Sequence, residues 1–474
     1  MRTIHTSLGF QLLLLCCFFG CPLAGNAAAL KAGVAATDIT PPVGWRMSGY
    51  FYERLSTNIH DPLQAKALVL EQGTKKAALV CCDLIGISHD LSSRVRLQAS
   101  RKTGIPAEHI LLAATHSHTG PLYFGALREH LHQAAIAHYG KDPFEATDYP
   151  GILAERLVDT IVRANRRLAP AHLEVCKTRK DGLSFNRRYE MKDGSFVTNP
   201  GKTNANIARP AGPIDPQLEV LLVMNPENKG AIASFTSFAL HADTVGGTEY
   251  SADFPLYLER ALRRLLGSDL ISLFGNSTCG DINHIDVSDP RPQKGHAEAA
   301  RIGGALADAI IASFHDFKPV TRPALAIRST KVTVPLQQYS AQETAQARQD
   351  MPKIGTKEVA FLKQVEIYKV SDLKLRGVDE LPLEVQAFRL GPDTAIVGLP
   401  GEVFVELGLA IKKASPFAHT LIVELSNDCI GYIPTKKAFA EGGYETINSR
   451  VKPGGGEMLV EAATRLLKEL KTAP

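Results

Sequence analysis

Two histidines separated by one residue give the clearest chemical signal in the chain. His116 and His118 lie in the segment 115–121, directly after the apolar run 110–114. Side chains two residues apart in an extended segment point to the same side, so both imidazoles are expected to face one site. One can then bind a metal ion through a neutral nitrogen while the other serves as acid, base or hydrogen-bond donor. Taken alone, the motif is explained equally well by two hydrogen-bonded structural histidines in a loop.

Polar residues follow other apolar runs in the same way. His241 ends the run 231–240, and Glu402 follows the run 394–399 after a Pro-Gly pair. Two histidines and one glutamate are a recurring ligand set for catalytic zinc, which keeps a position open for water. Mn²⁺, Fe²⁺ and Co²⁺ accept the same nitrogen and oxygen ligands and stay open as alternatives. Alone, His241 is more typical of a structural histidine, and Glu402 of a carboxylate that stabilises a helix start.

These clusters need strands that end along one edge of a sheet. The apolar run 77–83, the helical spacing of Leu91, Val95 and Ala99, and the run 110–114 predict two parallel strands joined by a helix. Further strands are predicted at 218–224, 231–240, 270–274, 394–399 and 420–425, and helices at 255–266, 297–314, 341–349, 403–414 and 457–470. The pattern predicts an α/β fold with a mainly parallel or mixed sheet flanked by helices, and a metal site at the C-terminal ends of its strands.

The first 29 residues have the features of a secretory signal peptide. Arg2 supplies a positive charge, an apolar run covers 10–23, and small residues stand at 27–29. This predicts a secreted or periplasmic protein. Lipid attachment at Cys21 is the less favoured alternative. Residues 30–474 show no linker-like stretch and are predicted to form one domain.

Composition narrows the class of protein further. A formal net charge of +4 on 474 residues does not favour nucleic acid as a partner. The cysteines after residue 29 are odd in number, scattered and without a CxxC pair, which speaks against a disulfide framework or a thiolate zinc site. The expected partner is therefore a small-molecule or lipid substrate, with peripheral membrane contact only through that substrate. The sequence does not predict an oligomeric state.

The order of these motifs resembles the N-terminal catalytic domain of the neutral/alkaline non-lysosomal ceramidase family. The resemblance begins at 32–40 and continues through 115–121, which is similar to the family's THTHSGP segment. Further matching motifs are Asn186-Arg187, 238–241, Gly280-Asp281, 399–402, Tyr432 and Tyr444-Glu445. The resemblance implies a zinc-dependent amidohydrolase that acts on a linear amide, with ceramide cleaved to a sphingoid base and a fatty acid.

The resemblance also implies a set of metal ligands. His116, His241, Glu402 and Tyr432 match the family positions that bind one zinc ion. The twelve-residue step from Tyr432 to Tyr444 equals the spacing in the family, which supports this assignment.

Catalytic and substrate-binding roles follow from the same resemblance. His118 and Tyr444 would contact the scissile group and its developing oxyanion, and Arg187 would lie beside the substrate carbonyl. Asp281 and Asn283 are expected to bind substrate, although Asn283 replaces the serine that is typical of the family at this position.

Departures around the expected pocket leave the substrate open. The family's glycine-rich continuation after residue 121 is replaced here by Leu-Tyr-Phe at 122–124, which could line an apolar groove or plug it. One alternative is therefore a zinc hydrolase of the same fold that acts on another amide or on an ester. A second alternative is a non-enzymatic envelope or carbohydrate-binding module.

Overall fold

The computed structural model describes residues 28–227 and 230–473. The predicted signal peptide lies almost entirely outside the described residues. Within the described residues, no helix has both the length and the apolar character needed to cross a membrane. The five cysteines in this part of the chain are free thiols, four of them buried and Cys429 partly exposed.

Three sheets form the framework, and each combines antiparallel pairs with one parallel pair. In spatial order, the first sheet contains Ile110–Ala114, Lys75–Cys82, Gln64–Gln72, Leu30–Asp38 and Ala169–Pro170; the second sheet contains Ile271–Asn276, Ala231–Phe238, Gln217–Met224, His172–Arg179 and Lys318–Pro319; the third sheet contains Ala326–Pro335, Glu380–Gly391, Thr394–Gly398 and His419–Val423. Shorter strands are Asn58–Ile59, Phe185–Asn186, Arg188–Met191, Phe196–Thr198, Ile207–Pro210, Glu249–Tyr250, Ile282–Asn283, Glu402–Val403 and Tyr432–Ile433.

The helices flank these sheets and close the loops between them. The α-helices are His89–Thr103, Gly125–Tyr139, Tyr149–Arg166, Phe254–Leu266, His296–Ala312, Ala341–Asp350, Phe361–Arg376, Val405–Ala414, Lys436–Glu441, Tyr444–Asn448 and Gly455–Thr472. Ser340 caps the helix Ala341–Asp350 through a capping box with Glu343. The reciprocal hydrogen bonds of such a box satisfy backbone donors that the first helical turn leaves unpaired.

The α/β class and the mixed alternative are confirmed, whereas the mainly parallel alternative is wrong. The predicted parallel pair of Lys75–Cys82 with Ile110–Ala114 is present, and each of the other two sheets also holds one parallel pair. The remaining neighbours within the three sheets are antiparallel. Short connections explain the difference, because Gln64–Gln72 and Lys75–Cys82 are separated by two residues and can only form a hairpin.

All three sheets turn one face towards a shared apolar core. Leu79 and Cys81 of the first sheet lie in this core together with Phe235 of the second sheet and Phe388 of the third. The alternate residues of Lys75–Cys82, such as Val80, belong instead to a cluster beneath helices. Burial on both faces explains why this strand reads as a continuous apolar run. The packed core holds the ends of the three parallel pairs in fixed relative positions.

The helix Val405–Ala414 begins three residues after Glu402 and packs closely against the loop that holds Thr278. A Cβ added at Gly408 would overlap the Thr278 side chain, whereas a Cβ at Gly304, in the helix His296–Ala312, would meet nothing within 4 Å. We therefore expect Gly408→Ala to lower the free energy of unfolding by about 1–3 kcal/mol through overpacking. Gly304→Ala should raise it by about 0.5–1 kcal/mol, since alanine favours the helix. Urea unfolding, monitored by circular dichroism, measures the free energy of unfolding of both variants. Changes of the same sign in the two variants would contradict the tight contact between Gly408 and Thr278.

Candidate metal and catalytic site

His116, His241 and Glu402 converge although they are widely separated in sequence. The Oε2 atom of Glu402 lies 3.4 Å from Nε2 of His116 and 3.4 Å from Nε2 of His241. The centroids of the two imidazole rings are 4.5 Å apart. Each side chain follows the end of a parallel strand, in the first, second and third sheet respectively. The shared core of the three sheets thus brings these residues together.

His116 and His118 reach the site by a different backbone path from the one expected. His116 has a left-handed backbone with φ of 66°, so the segment is not extended. Neighbouring backbone amides fix this conformation, since Thr115 donates to the carbonyl of Cys82 at 2.8 Å and Ser117 to that of Leu84 at 3.2 Å. A left-handed non-glycine residue costs of order 1–3 kcal/mol and is retained where its surroundings impose it. The two rings nevertheless contact each other edge to face, with centroids 4.9 Å apart.

Backbone carbonyls orient the two imidazoles that face Glu402. Nδ1 of His116 lies 2.7 Å from the carbonyl oxygen of Ile85, and Nδ1 of His241 lies 2.9 Å from that of Cys279. A carbonyl can only accept, so each Nδ1 carries the proton and each Nε2 presents a lone pair towards Glu402. This arrangement is typical of histidines that bind metal through Nε2.

Several buried atoms at this point lack a partner. Nε2 of His116, Nε2 of His118 and Oε2 of Glu402 make no hydrogen bond to any described residue. The ligand nitrogens of His116, His118 and His241 all lie within 4.8 Å of one another. Buried polar groups are nearly always satisfied, so unpaired lone pairs that point at one position require an additional group there. Nitrogen and carboxylate donors fit a divalent cation such as zinc.

Burial shifts the pKa values of these groups in the direction that suits a cation. Burial lowers the pKa of His241 to about 4, helped by the positive charge of Arg187, and lowers that of His118 to about 3, helped by His116. Burial opposes ionisation of Glu402, but the adjacent His116 and His241 outweigh it and hold the pKa of this carboxyl well below its usual value. The pKa shifts thus favour neutral imidazoles at His118 and His241 and an ionised carboxylate at Glu402, which are the protonation states that metal binding needs.

Tyr432 and Tyr444 form the adjoining wall of the site. Tyr432 pairs with Glu402 in a short parallel ladder, and the rings of Tyr432 and Tyr444 are 5.4 Å apart. Burial raises the pKa of Tyr444 to about 12 and that of Tyr432 well above its usual value. Both phenols are thus protonated at neutral pH and available as hydrogen-bond donors.

Arg187 lies beneath the two tyrosines and is held by a buried carboxylate. Its Nε donates to Oε1 of Glu445 at 2.8 Å, and its Nη1 lies 3.2 Å from Nε2 of His241. The guanidinium carbon is 5.3 Å from the ring centroid of Tyr432 and 5.9 Å from that of Tyr444. The sequence motifs indicate Arg187 but give no role to Glu445, because Glu445 and its partner Arg187 are far apart in sequence.

A cleft opens onto the site, with His116, His118, Glu402 and both tyrosines in its wall. Leu122 and Phe124 also line this cleft, so they add apolar surface beside the site. Tyr123 is buried behind them and donates its hydroxyl proton to the carbonyl of Gly86 at 2.9 Å. The Leu-Tyr-Phe segment therefore lines the cleft and does not plug it. Sequence analysis missed another part of the wall, which comes from the helix Phe361–Arg376.

Comparisons with known proteins give a family for part of the chain and a shared fold for most of it. Residues 30–252 match the family model described as neutral/alkaline non-lysosomal ceramidase, N-terminal. Residues 30–252 belong to this family. The matched part contains His116, His118, Arg187 and His241, so the resemblance first seen in short motifs is confirmed over a continuous stretch. No curated protein matches the chain.

Solved ceramidase structures share the fold over nearly the whole chain. A neutral ceramidase from Pseudomonas aeruginosa is similar with a TM-score of 0.68 and 18% sequence identity, covering 94% of this chain and 76% of that one. A structure described as ceramidase complexed with C2 is similar with a TM-score of 0.69 and 18% identity, covering 94% and 75%. The common fold extends beyond residue 252, through the region that holds Glu402, Tyr432 and Tyr444.

Asp281 and Asn283, which the family resemblance predicts to bind substrate, do not line the cleft. The Asp281 carboxylate is buried and accepts hydrogen bonds from the backbone N–H of Val405 and from Nδ2 of Asn186, both at 2.8 Å. Nδ2 of Asn283 donates to Oδ1 of Asn199 at 2.9 Å. Both oxygens of Asp281 thus hold a helix start and a loop in place, and a substrate-binding role for Asp281 and Asn283 stays a prediction.

Proposed function

We propose that this chain is a zinc-dependent hydrolase that cleaves an N-acyl amide bond, with ceramide as the substrate that the family suggests. The observation that carries the proposal is the convergence of His116, His241 and Glu402, with unpaired atoms on His116 and Glu402, at the end of a partly apolar cleft. One zinc ion would be held by these three residues and by Tyr432. A bound zinc ion lowers the pKa of water towards about 7 and polarises the acyl carbonyl.

Tyr444 is the proposed donor to the oxyanion that develops on the acyl oxygen. Its hydroxyl stays protonated at neutral pH because burial raises its pKa to about 12. Nδ2 of Asn448 lies 3.3 Å from this hydroxyl oxygen and helps to fix its position. A preorganised donor of this kind contributes about 3–4 kcal/mol to lowering the barrier. Arg187 adds positive charge behind both tyrosine rings.

His118 is the proposed carrier of the proton that the leaving amine requires. Its Nε2 is buried and has no partner among the described residues, and its ring lies 5.8 Å from that of His241. In the neutral state Nε2 can take the proton that the attacking water releases and then deliver it to the leaving nitrogen. Leaving-group protonation at this atom completes amide cleavage without a further side chain.

The chain would act outside the cytoplasm if residues 1–29 direct export as their composition predicts. The apolar cleft suits an acyl chain, so peripheral contact with a lipid surface is proposed only through the substrate. The alternative of another amide or an ester as substrate is favoured by the replaced segment at 122–124, which shapes the cleft wall.

Metal removal and restoration test this proposal. The purified protein should hold one zinc ion per chain by mass spectrometry of the metal, and should hydrolyse N-acylsphingosine or a member of a panel of simple amides and esters. Dialysis against a chelator should abolish activity, and added zinc should restore it. Activity that survives complete metal removal would refute the zinc mechanism. Stoichiometric zinc without activity on any substrate would instead favour the non-enzymatic alternative.

A further inference from the structure

Two arginines in the wall of the cleft share a single carboxylate. Arg376 and Arg450 line the same cleft as His116. The Nε atom of each arginine donates to the same oxygen, Oδ2 of Asp372, at 3.0 Å. The Arg450 and Asp372 side chains are about 4% and 5% exposed, and that of Arg376 is 21% exposed. Two positive charges therefore face one negative charge in a largely buried position, which favours a further anion nearby.

The guanidinium groups retain donors that the protein does not use. Nη1 of Arg450 donates to the backbone carbonyl of Asn448 at 2.6 Å and to its Oδ1 at 2.8 Å. Nη2 of Arg450 and both Nη atoms of Arg376 make no hydrogen bond to any residue in the described part of the chain. Because both arginines line the cleft, these N–H groups are available to a molecule that enters it.

Other charged groups near the two arginines do not occupy their unused N–H donors. Asp428 is near enough to interact with Arg376 electrostatically, but within residues 28–227 and 230–473 it forms no ion pair with either arginine. Burial raises the pKa of Asp428, and the positive charge of Arg376 opposes that rise. Lys369 belongs to the same helix as Arg376, but its ammonium group donates to Oε1 of Gln337 at 3.2 Å and does not line the cleft. Among the described residues of this corner of the cleft, the two guanidinium groups thus keep unused N–H donors.

The arginine pair lies close to the proposed metal site. Arg450 packs against Gly431 so tightly that a Cβ on this glycine would lie 2.7 Å from Nη1. The carbonyl of Gly431 accepts a hydrogen bond from the backbone N–H of Glu402 at 2.9 Å, and the next residue is Tyr432. On the other side, Asn448 contacts both Arg450 and the hydroxyl of Tyr444. One small molecule can therefore reach the arginines and the scissile position at the same time.

We propose that Arg376 and Arg450 form a carboxylate-binding subsite, and that the preferred substrate is an N-acyl amide with a carboxylate a few atoms from the scissile bond, as in an N-acyl amino acid. The inference rests on the proposed amide hydrolysis and specifies its substrate. Guanidinium groups bind carboxylates through paired, charge-assisted hydrogen bonds, which are stronger than those to neutral acceptors. Ceramide carries no carboxylate, so with ceramide bound the guanidinium N–H groups would donate to water.

A matched pair of amides tests the subsite. N-lauroylglycine and N-lauroylethanolamine have the same acyl chain and nearly the same amine length, but only the first carries a carboxylate. The zinc-loaded protein should have the higher kcat/KM on N-lauroylglycine. Arg376→Gln should lower that value by about 10- to 100-fold, since a hydrogen bond to a charged group is lost, and should lower the value for the ethanolamide much less. Arg301→Gln removes an arginine from an exposed ion pair with Glu298 and should leave both values unchanged.

Binding measurements separate failure of the subsite from failure of the proposed function. Dodecylsulfonyl derivatives of glycine, of ethanolamine and of aminomethylphosphonate carry a long alkyl chain and an N–H group like the amides, but a tetrahedral sulfonyl group that resists hydrolysis replaces the acyl carbonyl. Calorimetry should show the glycine derivative binding most tightly, and Arg376→Gln should remove that preference. The subsite proposal would be overturned if the glycine and ethanolamine derivatives bound equally well, or if Arg376→Gln lowered kcat/KM equally for both amides. Tighter binding of the phosphonate than of the glycine derivative would overturn the assignment of a carboxylate as the ligand. An Arg376-dependent preference without hydrolysis of any amide would overturn only the proposed function.

Discussion

We expect Glu402→Gln to lose its zinc and at least a thousandfold in kcat/KM for amide hydrolysis. The Oε2 atom of Glu402 lies 3.4 Å from Nε2 of both His116 and His241, so its charge stands where the proposed ligands meet. Glutamine keeps the size of the side chain but supplies no negative charge. Loss of a residue that only orients a ligand already costs about 10–100-fold in metal affinity or activity, so loss of a ligand should exceed this.

A carboxylate on the helix that follows Glu402 provides the matched control. Glu406 lies in the first turn of the helix Val405–Ala414, four residues beyond Glu402, and is only partly buried. Glu406→Gln should keep one zinc ion per chain and near-normal activity. Metal content and kcat/KM are measured on both variants, with unfolding curves to show that each is folded. A Glu402→Gln protein that keeps stoichiometric zinc would contradict the proposed ligand set.

Local patterns in the sequence predict much of the framework and part of the site. The predicted strand at 394–399 corresponds to Thr394–Gly398, and the predicted helix at 341–349 corresponds to Ala341–Asp350. These elements are set by apolar periodicity and by capping residues that lie within a few positions of each other, so a local reading finds them. His116 and His241 could be singled out for the same reason, because each directly follows an apolar strand.

Features that depend on contacts between distant segments could not be predicted in this way. The strand Ala326–Pro335 pairs antiparallel with Glu380–Gly391 across an intervening segment that contains two helices. One of these helices, Phe361–Arg376, carries Arg376 into the cleft, where it meets Arg450 at Asp372. No spacing rule links such positions, since only the tertiary fold brings them together. The left-handed backbone at His116 is likewise imposed by its neighbours and leaves no sequence signal.

A large loss of stability is expected on substitution of Glu445. This residue belongs to the Tyr444-Glu445 sequence motif, from which no role could be assigned to it. Glu445 is fully buried, and its Oε1 and Oε2 accept hydrogen bonds from Nε of Arg187 at 2.8 Å and from the hydroxyl of Thr198 at 2.7 Å. Nε of Arg188 lies 3.6 Å from Oε2. Removal of this carboxylate leaves buried guanidinium charge without compensation. We expect Glu445→Ala to lower the free energy of unfolding by about 3–5 kcal/mol.

An exposed ion pair supplies the comparison for this variant. Glu298 pairs with Arg301 on a helix surface where the arginine side chain is half exposed, so Glu298→Ala should cost less than about 1 kcal/mol. Urea unfolding gives both values at neutral pH. Activity separates stability from catalysis: where Glu445→Ala remains folded, kcat should fall because Arg187 loses the anchor that holds it beneath Tyr432 and Tyr444. A Glu445→Ala protein as stable and as active as the Glu298 variant would show that Arg187 is positioned by other contacts, and that its charge is not part of the site.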